Sequence, residues 1–226
     1  MYIHEDAVET APDRVTIPVP EARRRAPWEH RAKRALDLLI AIPAALLLAL
    51  LFVPIAILIR ADSPGPVIFG TRRFGLGGRP FTIYKFRSMQ RDAEQRLEEA
   101  RHLSNTNGPS FKAKNDPRIT RVGLWLRRSS LDELPQVICV LRGDMSIVGP
   151  RPVQSIDFRG YEDLLDVRNR TRPGLTGLWQ VKGRSNLPFA EMARLDLYYA
   201  QRWSIWMDLG ILARTIPAVL LGRGAL

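Results

Sequence analysis

The residues Arg127-Arg128-Ser129-Ser130-Leu131-Asp132-Glu133-Leu134-Pro135 place guanidinium groups, hydroxyls and two carboxylates in one short stretch. By spacing, Ser130 with Glu133 three residues on reads as a helix capping box, with Asp132 in the favourable first turn. Pro135 weakens that reading, because a helix capped at Ser130 needs the N–H of residue 135 and proline has none. A regular helix that starts later puts Asp132 or Glu133 on its rim. There, backbone N–H groups and two arginines keep a carboxylate ionised and attract phosphate. Such a place suits phosphoryl transfer, in which a nucleophile, a divalent cation and arginines converge on one phosphorus.

Four more basic motifs fall on turns or strand ends: Lys85-Phe86-Arg87-Ser88-Met89, Asn115-Asp116-Pro117-Arg118, Gly149-Pro150-Arg151-Pro152 and Gly183-Arg184-Ser185. A loop arginine is by default only solvated; the shared setting among Gly and Pro, which hold a group in place, raises the odds for each. Gly75-Leu76-Gly77-Gly78 reads as a hairpin turn, since no helix follows it to cradle a phosphate. A single cysteine, Cys139, excludes an internal disulfide framework and a multi-cysteine zinc site. His4, His30 and His102 lie far apart and neighbour no motif, so the chemistry must run on carboxylates, Arg/Lys and a borrowed cation.

These groups need a scaffold, and its most legible element is apolar. Leu38 to Ile59 is a run of 22 residues without a charge. As a helix rising ~1.5 Å per residue it reaches across a ~30 Å hydrocarbon core. It starts too late, runs too long and lacks a cleavage site for a removed signal peptide. Arg31, Lys33 and Arg34 precede it and Arg60, Arg72 and Arg73 follow, which keeps both flanks on the cytoplasmic side. Pro54 bends the helix and Pro43 adds an irregularity, so the run reads as a re-entrant dip, with a straight span left open.

Residues 1–21 are polar and aperiodic, a disordered tail, and Trp28 is an interfacial anchor in a basic lead-in. Val67–Phe69 and Pro80–Phe86 read as strands of a hairpin. Thr120–Arg128, Leu134–Leu141 and Phe189–Tyr199 read as helices, and Asp92–Leu103 as a charged helix before a polar loop over Ser104–Pro117. Gly143–Pro152 and Pro173–Gly177 are turn-rich. Tyr198 to Leu221 mixes aromatics and aliphatics at near-helical spacing, which fits an interfacial helix or a core helix. The fold class is therefore α+β and mainly helical: a tail over 1–30, a re-entrant membrane helix over 31–62, and over 63–226 a small membrane-associated catalytic domain with a β-hairpin and interfacial amphipathic helices. The chain of 226 residues carries 34 Lys+Arg against 23 Asp+Glu, a net charge of +11, with 46% hydrophobic residues. That is enough apolar content for one core, and the charge calls for a polyanionic partner: nucleic acid, anionic membrane or phosphorylated substrate.

The segments Lys85–Met89, Ser130–Gln136, Gly143–Pro152 and Arg172–Gln180 resemble the bacterial sugar transferases, the monotopic phosphoglycosyl transferases that begin surface-polysaccharide assembly. The likeness covers roughly residues 31–226 in order. Thr215-Ile216-Pro217-Ala218-Val219 and the length are most similar to the exopolysaccharide-initiating galactosyl- or glucosyl-phosphate transferases. The resemblance implies transfer of hexose 1-phosphate from a UDP-hexose to undecaprenyl phosphate with release of UMP, at the cytoplasmic face of a bacterial inner membrane. It implies Asp132 as the nucleophile of a covalent phosphosugar intermediate, with Glu133 serving Mg²⁺ or proton transfer and Asp132 and Glu133 as the metal-side acids. It further implies that Lys85, Arg87, Arg127, Arg151, Arg184 and Asp196 line the phosphate and nucleotide site. The family's membrane helix kinks at a Ser-Pro pair; here Val53 precedes Pro54, so the hydroxyl is absent while the proline remains.

Direct attack by the lipid phosphate, with the acids serving only the metal, is the rival mechanism. A membrane-tethered nucleic-acid-binding protein would explain the charge, but no recognition-helix motif supports it, and no nucleic-acid partner is expected. A purely structural scaffold would tolerate loss of both Asp132 and Glu133. Membrane lipids are expected partners, and homo-oligomerisation is left open.

Overall fold

A computed structural model describes residues 19–93, 95–96, 116–153, 162–183 and 187–220. Residues 1–18 of the expected tail, 94 and 97–103 of the charged helix, 104–115 of the polar loop over Ser104–Pro117, and Arg184-Ser185 lie outside the described residues. Where described, Asp92–Ala93 and Gln95–Arg96 form turns and not helix.

Helix α1 spans Pro27–Asp62, so residues 27–30 of the expected tail are its first turn. Proline at the first helical position is no liability, since that N–H has no partner in a helix anyway. Glu29 accepts from the backbone N–H of Ala26 at 3.0 Å and from Arg23 at 2.7 Å, which closes this end. The helix runs through Pro43 and Pro54 without interruption and ends where Ser63 turns extended before Pro64.

Two faces of α1 do different things. Asp37, Ala41, Leu48, Ile55 and Ile59 are buried, and at ~100° per residue they fall within about 40° of one another. The opposite face carries Leu39, Ile42, Leu46, Leu50, Val53 and Ile57, all exposed, with Leu50 at 73%. A helix at a water-facing surface places polar residues there; this one is apolar on both sides, and it is long and apolar enough to cross a membrane.

The buried face is fastened to the rest of the protein at both ends. Near the start, Lys33 Nζ reaches Asp208 at 2.7 Å, Val148 O at 2.9 Å and the Tyr199 hydroxyl at 3.0 Å. Arg34 donates to the carbonyls of Val140 and Leu141, and Asp37 accepts from Ser146 Oγ and the Ile147 N–H, both at 2.8 Å. At the far end, Asp62 accepts from the Val122 N–H at 2.8 Å, and Arg87 donates to Ser63 O at 2.5 Å and Pro64 O at 2.9 Å. Gly65, at φ +129°, lies under that guanidinium; a Cβ there would sit 2.1 Å from Arg87 Nη1.

Strands β1 (Ile68–Phe74) and β2 (Pro80–Phe86) form the expected hairpin, β1 reaching further than its apolar start suggested. Gly77 and Gly78 both take positive φ in the turn. Alternation along β2 buries Phe86, which meets Phe52 of α1 with ring centroids 5.8 Å apart, and sends Lys85 to the other face.

Helix α2 (Arg121–Arg128) is capped by Thr120, whose Oγ1 accepts from the Gly123 N–H at 3.0 Å. The capping box at Ser130 is not formed. Ser130 takes a left-handed conformation (φ 58°, ψ 14°) without a side-chain cap, and Leu131–Gln136 form a 3₁₀ turn. Regular helix begins only at α3 (Val137–Arg142), the later start that Pro135 favours and three residues beyond the expected Leu134.

The turn-rich segments hide a parallel pair, β3 (Ser146–Val148) with β4 (Gly174–Thr176). Their backbones come close where β4 begins, beside the residue that follows β3: a Cβ on Gly174 would lie 2.1 Å from Gly149 N, and one on Gly149 2.4 Å from Arg172 O. Glycine at both positions is a steric requirement, not a turn preference. Helices α4 (Glu162–Arg168), α5 (Leu178–Lys182), α6 (Phe189–Arg202) and α7 (Ile205–Leu220) complete the described chain. The single helix expected over Tyr198–Leu221 is in fact the end of α6 and all of α7. Tyr199 and Trp203 are core, whereas Trp206 is 81% and Ile216 62% exposed on α7. The core reading holds for Tyr199 and Trp203, while α7 carries exposed apolar side chains.

Candidate active site

Three elements meet at Glu133. Strand β2 brings Lys85, whose Nζ lies 2.6 Å from Glu133 Oε1, and the Gly149–Pro152 loop brings Arg151, whose Nη2 lies 3.1 Å from the same oxygen. The 3₁₀ turn supplies Asp132 beside it. Lys85, Glu133 and Arg151 are half-buried, with side chains 24%, 26% and 39% exposed, so the cluster is open to a ligand. Asp132 is nearly covered.

The neighbouring carboxylates are driven apart. Burial pushes both up, but the charges of Lys85 and Arg151, and the hydrogen bonds from them, hold Glu133 well below the usual carboxylate range. Asp132 goes the other way: burial raises it, Glu133 adds like-charge repulsion, and Lys85, Arg127 and Arg151 only partly oppose this. Glu133 is thus a fixed anion, while Asp132 is a destabilised one whose charge is available for bonding or neutralisation.

Arg127 joins from α2. Its Nε donates to Ser88 Oγ at 2.9 Å, burial lowers its pKa, and the charge of Asp132 is the largest influence opposing that. Ser88 therefore positions an arginine, which accounts for its place after Lys85-Phe86-Arg87. Asp116 and Arg118 pair with each other through two side-chain bonds of 2.9 and 2.7 Å, close enough to Arg127 for their charges to act on it.

Of two further expected site residues, Arg87 is placed elsewhere and Asp196 lies behind the cluster, against the backbone of Arg151. Arg87 follows the last residue of β2 and turns back to cap the C-terminal end of α1. Asp196 is buried on α6, its Oδ2 held by Arg168 Nε and Nη2 at 3.0 Å each. Burial brings Asp196 up to about 6 against the charge of Arg168. Arg184 lies outside the described residues. Arg168 was missed: it is one arginine among many in the sequence, with no Gly/Pro setting to mark it.

Asp132, with Glu133 at its side and Lys85, Arg127 and Arg151 around them, can receive a polyanion and offer it a carboxylate oxygen. Among the described residues no cluster of three His, Cys, Asp or Glu forms a protein-made metal cage. Asp132 and Glu133 are the two adjacent carboxylates that would hold a divalent cation, its remaining oxygens coming from phosphate and water.

The model of the family described as bacterial sugar transferase matches residues 28–222. The exopolysaccharide production protein ExoY of Rhizobium meliloti (strain 1021) is 43% identical over 198 residues, covering 86% of this chain and 88% of that protein. The undecaprenyl-phosphate galactose phosphotransferase of Salmonella typhimurium is 40% identical over 199 residues, 85% of this chain and 41% of that one. The undecaprenyl-phosphate glucose phosphotransferase of Komagataeibacter xylinus is 39% identical over 221 residues, 93% and 40% respectively. The chain thus spans most of ExoY and less than half of the two phosphotransferases.

Proposed function

The chain belongs to the bacterial sugar transferase family, and from that premise we propose that it moves hexose 1-phosphate from a UDP-hexose to undecaprenyl phosphate, releasing UMP. The observation that carries this reading is the convergence of Lys85, Arg127 and Arg151 on the adjacent carboxylates Asp132 and Glu133. A diphosphate donor needs cations at its oxygens, and the cluster supplies three. In this reading an Asp132 oxygen bonds to the sugar-bearing phosphorus while the bond to the bridging oxygen breaks, and that oxygen leaves with UMP. The lipid phosphate then attacks the same phosphorus and frees Asp132. Glu133, kept ionised, orients Lys85 and Arg151. Asp132 and Glu133 would hold Mg²⁺, which when bound supplies positive charge to the diphosphate oxygens.

The test is exchange of labelled UMP into UDP-hexose by protein and Mg²⁺ with no lipid acceptor. Exchange is expected; its absence, with transfer to lipid intact, would favour direct attack by the lipid phosphate.

The site must also sit at headgroup height, because the acceptor's tail stays in the bilayer. We read α1 as re-entrant, its two ends on the cytoplasmic side. Support comes from the fastening of Lys33, Arg34 and Asp37 at one end, and Asp62 with the Arg87-capped terminus at the other, to one catalytic body. A helix crossing the membrane would carry its far end away from that body. Cys139 is fully buried, so cysteines introduced by Arg24→Cys and Arg72→Cys can be labelled selectively with an impermeant maleimide in oriented vesicles. Labelling from one side is expected for both; labelling from opposite sides would establish a span.

A further inference from the structure

The Gly149-Pro150-Arg151-Pro152 loop carries the only active-site cation that does not stand on a regular element among the described residues, so something else must aim it. The flanking prolines fix φ on both sides and hold Arg151 away from the helical region. They also remove two N–H groups, so the few backbone groups left must hold the loop; the Gly149 N–H donates to Thr176 O at 2.9 Å, and the Arg151 backbone N–H bonds the Asp196 carboxylate. Pro150 O accepts from the Gly174 N–H at 2.8 Å. Arg151 O accepts from Nη2 of Arg168, the guanidinium that also grips Asp196.

We propose that the buried Arg168–Asp196 pair is a positioning device for Arg151: it fixes the backbone of the loop so that the Arg151 side chain meets Glu133 and, with it, the donor diphosphate. Three features carry this. Arg168 is almost fully buried, its side chain only 1% exposed, although arginine seldom is. Among the described residues it bridges two separate parts of the chain, 17 residues before it and 28 after. The pair is also not built for stability. Arg168 grips only Oδ2 of Asp196 and leaves the buried Oδ1 to the Arg151 backbone beside it, and a buried ion pair contributes little that packed apolar side chains would not. What an apolar pair cannot do is hold a carbonyl in a set place and so aim the side chain that follows. Arg168 and Asp196 are thus positioning residues, not catalytic ones.

This rests on the proposed reading of Arg151 as a diphosphate contact, and the experiment separates the two. Transfer from UDP-hexose to undecaprenyl phosphate is measured for the wild type, Arg168→Lys, Asp196→Asn, Arg151→Ala and the double variant Arg151→Ala/Arg168→Lys. Arg168→Lys and Asp196→Asn are each expected to lower kcat about tenfold or more, the scale set by small misplacements of a positioned group. In the Arg151→Ala background Arg168→Lys should add nothing, because its effect runs through the missing side chain. Multiplying effects in the double variant, or a full rate in both single ones, would overturn the proposal. If Arg168→Lys unfolds, the same cycle is run with Asp196→Asn. Hydrogen exchange at the Arg151 and Val153 amides gives a readout free of activity: it should quicken in both single variants while exchange along α1 does not. Unchanged exchange overturns the positioning role even if the wild type moves no sugar phosphate, an outcome that would count against the functional reading alone.

Discussion

Asp132→Asn is expected to lower transfer by at least about 10³-fold, the scale of losing a nucleophile, and at the same time to make the metal-free protein more stable. Both effects have one source. The Asp132 carboxylate is buried beside the Glu133 anion, and its pKa is raised because those costs exceed the attraction of Lys85, Arg127 and Arg151. An acid whose folded pKa lies above its unfolded one contributes stability that is fully present below the unfolded value and is lost as pH rises through the folded value. At neutral pH the charge therefore works against folding. Asparagine keeps the shape and removes the charge. The melting temperature of Asp132→Asn in detergent with chelator should exceed that of the wild type at pH 7, and the gap should close below about pH 4, where both carry a neutral side chain. Wild-type UMP exchange by the variant would remove Asp132 as nucleophile. An unchanged melting temperature would show that the site does not strain this carboxylate.

Lys33→Met should be among the most destabilising single changes in the chain. Lys33 satisfies a fully buried carboxylate, Asp208, which the Tyr199 hydroxyl approaches at 2.6 Å from the other side. Burial already raises the pKa of Asp208, and the charge of Lys33 is the largest influence holding it down. Removing one partner of a buried pair leaves the other uncompensated, at a cost of about 3–5 kcal/mol. The sign of the pH dependence follows: the penalty on Asp208 applies above its folded pKa and fades as it protonates. The deficit in melting temperature should thus be largest near pH 8 and smaller near pH 5. The paired change Lys33→Met/Asp208→Leu removes both charges and should recover most of the loss. Equal stability of wild type and Lys33→Met across that range would show that this contact does not hold the base of α1.

Much of the candidate site was legible in the sequence because its parts lie in short motifs with few conformational options. Pro135 after two acids announced a delayed helix, and Lys85 on an alternating strand announced a side chain opposite the buried Phe86. Misplacements arose where position along an element decided the outcome. Lys85 and Arg87 would share a face if β2 continued, but β2 ends at Phe86 and Arg87 turns back to the end of α1. Asp196 sits on a helix whose apolar face is the core, so its partner had to be another buried charge, Arg168, 28 residues away. The parallel pair β3–β4 is three residues per strand inside Gly/Pro-rich sequence, where turn signals outweigh strand signals. Asp37 was the readable clue left unused: an acid at the mouth of a charge-free run needs a partner, and it has the Ser146 hydroxyl and the Ile147 N–H.

A helix pinned at both ends to one rigid body has lost the freedom by which membrane helices adapt to their surroundings. A free span answers a thicker or thinner bilayer by tilting. In the proposed re-entrant placement, with Lys33 and Asp37 tied at one end and Asp62 at the other, α1 would have no such adjustment, and the depth of the carboxylates would be set by the protein's own geometry. In the re-entrant reading only one leaflet is touched, so the far leaflet drops out of the problem. The protein then works as a float with a fixed draught, and the lipid, not the protein, accommodates the difference.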